Sequence, residues 1–161
     1  IATYYQEVLR ARWGWETPAQ AWGRIAAGFE SGRHSGTGRS LSDEAGAMNQ
    51  TAAYTRVYWG GTAFVLAADL ALRERGSSLD EAIARCLRDV EHSSTPVEAR
   101  TLVAAFDQEL VALADGHAAR SEWPDTDAQL AALGVVVEDG GVRLVDAPDS
   151  AVRDAIMRRA R

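Results

Sequence analysis

The sequence contains no lysine: its seventeen basic residues are all arginine, against twenty-three acidic ones, for a net charge of −6. No stretch gathers those arginines into a basic block. That excludes nucleic acid as the main partner, because neutralising phosphates supplies most of such affinity. Arginine-only usage points to a GC-rich bacterial source and leaves cytoplasm and periplasm both open. A single cysteine, Cys86, excludes an internal disulfide. Long apolar runs are also missing. Asp69 and Arg73 interrupt the best candidate, short of the roughly eighteen apolar residues a membrane span needs, so no span is expected. There is no initiator Met and no signal peptide, and the chain begins inside an amphipathic pattern, which predicts a piece of something longer.

What is present is ordinary globular composition, 47% hydrophobic over 161 residues, enough for one domain with a core. Ile1, Tyr4, Tyr5, Val8, Leu9 and Trp13 form a helical stripe that Gly14 ends. Thr17-Pro18-Ala19-Gln20 is a helix start with a capping box, and Trp22, Ile25, Ala26 and Phe29 supply the buried face. Gly32 to Ser40 predicts a loop. It lacks the Walker spacing and its Lys-Ser/Thr, so a flexible connection is favoured over a phosphate cradle. A short helix follows over Ser42 to Met48. Ser78-Leu79-Asp80-Glu81 is a second capping box, opening a helix with the stripe Leu79, Ile83, Cys86, Leu87 and Val90. Cys86 on that stripe predicts a buried, inert thiol. Thr95-Pro96-Val97-Glu98 starts another helix, with a break or kink expected near Asp107. Asp127 to Leu133 predicts a short helix ended by Gly134. Val135 to Val145 predicts a hairpin turning at Asp139-Gly140-Gly141, and Asp149 to Arg159 a last helix with Val152, Ala155 and Ile156 inward. The expected fold is all-α, about seven helices with a small hairpin near 135–145.

The longest helical pattern, residues 54–75, is expected to be central. Val57, Tyr58, Gly61, Phe64, Val65, Ala68 and Leu72 share one face, and the alanines and leucines between them widen it until little of the helix is polar. Gly60 and Gly61 inside it each cost about 0.8–1 kcal/mol relative to alanine. Two readings stay open: a close backbone approach, or room for a site beside Tyr58. Asp69 in this apolar setting is expected to cap or pair with a neighbouring element, since a buried carboxylate needs partners. No metal ligands are expected here. His34, His92 and His117 have no ligand spacing, there is no H-E-x-x-H, and Asp115 and His117 face different ways on a helix. Cys86 has no histidine to activate it as a nucleophile.

Several of these blocks resemble a known family. Ile1-Ala2-Thr3-Tyr4-Tyr5 is similar to the segment after the zinc-binding Glu-Gly of gluzincin metallopeptidases. Tyr54-Thr55-Arg56-Val57-Tyr58-Trp59-Gly60-Gly61 resembles their motif Tyr-x-Lys-Gly, with Gly60 standing where the motif has lysine. Ala68-Asp69-Leu70-Ala71-Leu72-Arg73 resembles the Asp-Leu-x-Leu-Arg run of the glycyl aminopeptidase family. More loosely, Gly38 to Ser42 and Trp123 to Gly134 fit that family's downstream pattern. The resemblance covers most of residues 1–134, and implies a helical C-terminal domain; residues 135–161, hairpin and last helix, are appended to it without a counterpart. It implies that Tyr58 is catalytic, hydrogen-bonding the oxyanion, while Tyr54, Gly60 and Gly61 line the substrate cleft. Zinc and the general base would lie in an upstream catalytic domain of the same chain, the partner here, with peptide as substrate. Residues 1–161 by themselves would hold no cofactor and be inactive. The alternative expectation is a non-catalytic helical scaffold or interaction module derived from a peptidase, which the lysine-to-glycine departure favours.

Overall fold

The computed structural model describes residues 1–89 and 98–159. Among them are nine helices and one hairpin: α1 Ala2–Arg12, α2 Pro18–His34, α3 Leu41–Thr51, α4 Tyr54–Glu74, α5 Leu79–Asp89, α6 Ala99–Phe106, α7 Leu110–Ala119, α8 Thr126–Ala132 and α9 Ser150–Met157, with β1 Val135–Glu138 and β2 Gly141–Leu144 before α9. The chain is mostly helical, as its periodicity predicts. Part of the excess over about seven helices arises at Asp107. This residue is extended, its carboxylate accepts from the Glu109 amide at 2.8 Å and from Arg75 at 2.9 Å, and it separates α6 from α7. None of the described helices is long and apolar enough to cross a membrane.

Local chemistry explains most boundaries. Thr17 Oγ1 accepts from the Gln20 amide while Gln20 accepts from the Thr17 amide, completing the capping box, with Pro18 as the first helical residue. Gly14, at φ +74°, ends α1. The predicted loop starts later than Gly32. Helix α2 continues to His34 because Gly28 and Gly32 leave room for Trp59 and Trp123 to pack on its backbone. Helix α3 also runs beyond Ser42 to Met48 at both ends, with Ser40 as its cap. At α5 the expected box is half formed: the Glu81 amide donates to Ser78 Oγ at 3.3 Å, but the Glu81 carboxylate accepts from Ser77.

The core gathers Tyr4 and Val8 of α1, Trp22, Ile25 and Phe29 of α2, Leu66 and Leu72 of α4, Leu110, Leu133 and Ile156. Two expected stripes are narrower than their periodicity suggested. Leu87 is 73% exposed, since α5 buries Leu79, Ala82 and Cys86 and leaves its flank in water. Ile1, Leu9 and Trp13 are half exposed, with the Arg159 guanidinium 4.2 Å from the Trp13 ring centroid. Val90 and Thr95-Pro96-Val97 lie outside the described residues. The strands pair antiparallel, Val135 opposite Leu144 and Val137 opposite Val142. The turn itself is Asp139-Gly140, with Gly140 at φ +88°, and Gly141 already belongs to β2. Hydrophobic contacts with α2 and α8 steady a pair of strands too small to be stable alone.

Candidate functional site

Helix α4 packs on α1, α2, α3, α5 and α7. Its first half does not bury the side the apolar spacing indicated. Val57 and Gly61 are only partly covered and Tyr58 is 51% exposed, while Arg56 and Gly60 are turned inward. The reason is Arg56. Its guanidinium donates to the backbone carbonyls of Ser121 and Glu122 at 2.6 and 3.3 Å and lies 5.0 Å from the Trp123 ring centroid, which makes burying a cation tolerable. Burial lowers the Arg56 pKa, and nearby Glu44 works against that shift. Glu44, also buried, accepts from the amide and hydroxyl of Thr37 and pins the 35–40 loop over Arg56. Sequence reading missed both residues. A charged residue inside an apolar helix, one turn before a glycine, is the signal that marks Arg56.

Tyr58 and Tyr54 stand one turn apart on the outside of α4, ring centroids 6.2 Å apart. The Tyr54 hydroxyl donates to Asn49 at 3.1 Å, whereas the Tyr58 hydroxyl has no hydrogen-bond partner among the described residues. The two glycines behind them differ. A Cβ at Gly60 would stand 2.8 Å from Leu41 Cδ1, so its room is used by α3. A Cβ at Gly61 would meet nothing within 4 Å.

Gly61 instead forms a wall of two adjoining hollows. One, of about 200 Å³, is lined by Ile1, Phe64, Leu102, Val103 and Phe106 among others, all apolar. The second, of about 340 Å³, shares Gly61, Phe64 and Val103 and adds Arg100, Asp115 and His117. Tyr58 lines neither; it lies one turn before Gly61. Arg100 and Asp115 pair at 3.1 Å, while His117 packs edge-on to Phe64 with ring centroids 5.6 Å apart. Burial, then the Arg120 charge, pushes the His117 pKa down. His34 is exposed and bonded to Glu30, and His92 lies outside the described residues. Among the described residues, no three His, Cys, Asp or Glu side chains are placed to hold a metal ion.

A second polar centre lies at the junction of α1, α4 and α5. Buried Asp69 accepts from the Tyr4 hydroxyl at 2.9 Å, from the Leu79 amide at 2.9 Å and from Arg73 Nε at 3.0 Å. It thereby caps α5 and pairs with α1, the role its apolar setting required. Beside it, Asp80 accepts from Tyr5 and from both terminal nitrogens of Arg12. Burial, then the Asp69 carboxylate, raises the Tyr4 pKa, and burial with Asp80 raises that of Tyr5. Burial would raise Asp80 too, but the Arg12 and Tyr5 hydrogen bonds outweigh it and hold the carboxyl below its usual range. Saturated as they are, these carboxylates serve the junction. Compared with protein-family profiles, curated proteins and solved structures, the chain has no match.

Proposed function

We propose that this chain is the C-terminal helical part of a gluzincin zinc aminopeptidase of the glycyl aminopeptidase type, with α4 as its central rod and Tyr58 as its catalytic contribution. The observation that carries the reading is that Ile1 and Gly61 share the wall of one hollow. The resemblance assigns the first block to the segment after a zinc-binding Glu-Gly, and the second to the tyrosine motif. Sixty residues apart in sequence, Ile1 and Gly61 come together at that hollow, as two parts of one cleft must. Tyr58 fits its role in two further respects. Its hydroxyl is uncommitted among the described residues, and it stands on a helix held from several sides, so it can donate without reorganising. In this reading Tyr54, Gly60 and Gly61 would line the substrate cleft, where a peptide carbonyl would present its developing oxyanion to the Tyr58 phenol.

The zinc that the resemblance implies finds no ligand set among the described residues. Its ligands and the general base belong in this reading to an upstream catalytic domain, the principal partner, and peptide is the substrate. Tyr58→Phe in the parent protein tests the proposal. Loss of one oxyanion donor predicts a fall in kcat of about 10²–10³ with an unchanged melting temperature. A parent without H-E-x-x-H, or a Phe variant of full activity, rules it out. One observation favours the second reading, a non-catalytic helical scaffold: Gly60, where the motif has lysine, is packed by Leu41. On that reading Tyr58→Phe changes no turnover.

A further inference from the structure

The hairpin has only two strands, so β1 keeps one edge unpaired. Residues of an antiparallel ladder alternate between pairs that exchange hydrogen bonds and pairs that do not. The Val145 amide donates to the Gly134 carbonyl at 2.9 Å, which sets the phase. Val136 with Arg143 and Glu138 with Gly141 are bonded pairs, whereas Val135 and Val137 face partners they do not bond. Their N–H and C=O groups point away from β2, and among the described residues none bonds to the backbone of another element. An apolar edge of this kind is a template for one more strand, and β1 has neither lysine nor proline to guard it. We propose that β1 and the hollow it lines form a docking site for an extended, basic peptide segment, which adds as a third strand.

The walls and charges of this hollow select that occupant. It measures about 580 Å³, with Val135 and Val137 of β1, Gly23, Ala26 and Ala27 of α2, and Leu130 of α8 in its lining. Val137 is 64% exposed, so the chain itself leaves that part of the strand uncovered. A strand added to β1 puts every second side chain on the face that carries Val135 and Val137, toward the small residues of α2. Charge decides between partners. Glu30, Asp127 and Glu138 also line the hollow, against Arg33 alone. Arg143 pairs with Glu138 at 2.7 Å, and Arg33 is shared between Asp127 and Glu30 at 2.6 and 3.6 Å. One negative charge is left over where α2 meets α8, which attracts lysine or arginine and repels an acidic segment. A second copy of this chain, with a net charge of −6 and the same acidic rim, is the poorer fit. The site is separate from Tyr58 and independent of the peptidase reading, since none of its lining residues belongs to the tyrosine motif.

The probe is acetyl-Lys-Val-Thr-Val-Lys-amide, titrated into the isotope-labelled chain and followed by NMR, with the same peptide carrying Glu for Lys as its control. The basic peptide is expected to shift the Val137, Ala26 and Ala27 amide resonances at millimolar concentration or below. The acidic one should bind at least tenfold more weakly. In the complex the Val137 amide donates to the peptide, so its hydrogen exchange should slow at least tenfold. Val137→Pro takes that donor away, while the ladder with β2, which does not use it, keeps its bonds. It should lower the affinity at least tenfold. Glu30→Lys, at an exposed position, should remove the preference for the basic peptide. No binding at millimolar concentration, equal binding of the two peptides, or a Val137 amide that exchanges as fast when bound overturns the proposal. So do folded variants that bind both peptides as the wild type does. A Val137 amide already protected without peptide, together with a dimer in sedimentation equilibrium, makes a second copy the occupant and overturns it as well.

Discussion

Gly28 and Gly61 make opposite predictions about the same substitution. At Gly28 a Cβ would overlap the Trp59 indole, a rigid ring edge-on to Phe29 that cannot bend aside. Overpacking of this kind costs about 1–3 kcal/mol, more than alanine's gain in helix propensity of about 1 kcal/mol. Gly28→Ala should therefore lower the urea midpoint, and Gly61→Ala should raise it by the propensity difference alone. Tyr4 supplies a second case. Its fully buried hydroxyl donates to a carboxylate, a bond worth about 1.5–3 kcal/mol. Tyr4→Phe should destabilise by about that amount, since Arg73 and the Leu79 amide still satisfy Asp69. The pH dependence has a definite sign. With its pKa raised on folding, Tyr4 holds its proton more tightly in the folded state. Its contribution is complete below the unfolded value near 10 and is lost as pH rises above it. Alkaline unfolding followed at 295 nm should begin above that value in the wild type and shift in Tyr4→Phe.

Elements were legible in the sequence where a local rule sets them and obscure where a distant partner does. Thr17-Pro18 and Gly14 announce α2 and the end of α1 through chemistry confined to a few residues. The hairpin turn is as local, apart from the assignment of Gly141. By contrast, the glycines of α2 resemble loop residues until Trp59 and Trp123 are laid against them. Likewise, the inner side of α4 at Arg56 depends on carbonyls 65 and 66 residues away, which no spacing reveals. Of the candidate site, Tyr58 is proposed through a motif alone; the hollow beside Gly61 depends on α6, Leu102 to Phe106, coming to lie beside it. The α6–α7 junction can be tested directly. The Glu109 amide holds the Asp107 carboxyl below its ordinary value against the opposing effect of burial, with further help from Arg75. A depressed carboxylate contributes stability above its unfolded pKa, and that contribution is lost as pH falls below about 3.8 through the folded value. Asp107→Asn should flatten the acid limb of the stability curve, measured by urea titration between pH 5 and about 2.

Residues 135–161 decide whether the chain folds as one cooperative unit. Read from sequence, they are an appendage to a helical domain of residues 1–134. Their side chains nevertheless reach far into the structure. Val135, Ile156 and Met157 join the buried core with Tyr4, Val8 and Leu133. The buried Arg153 guanidinium donates to the carbonyls of Leu133, Gly134 and Val145 at 3.3, 3.3 and 2.7 Å, tying the end of α8 to the hairpin. Arg12 Nε donates to the Ile156 carbonyl at 2.9 Å, linking the first helix to the last. Deleting them would uncover core side chains worth about 1.5–3 kcal/mol each, against a total stability of roughly 5–15 kcal/mol for a domain this size. A chain cut after Gly134 is therefore expected to melt at a much lower temperature, with a smaller unfolding enthalpy than its shorter length alone explains. Calorimetry of the two lengths decides the matter. Equal midpoints would make the hairpin and α9 a true appendage, whereas a single transition in the full chain and a collapsed one in the shortened chain would make them the closing face of its core.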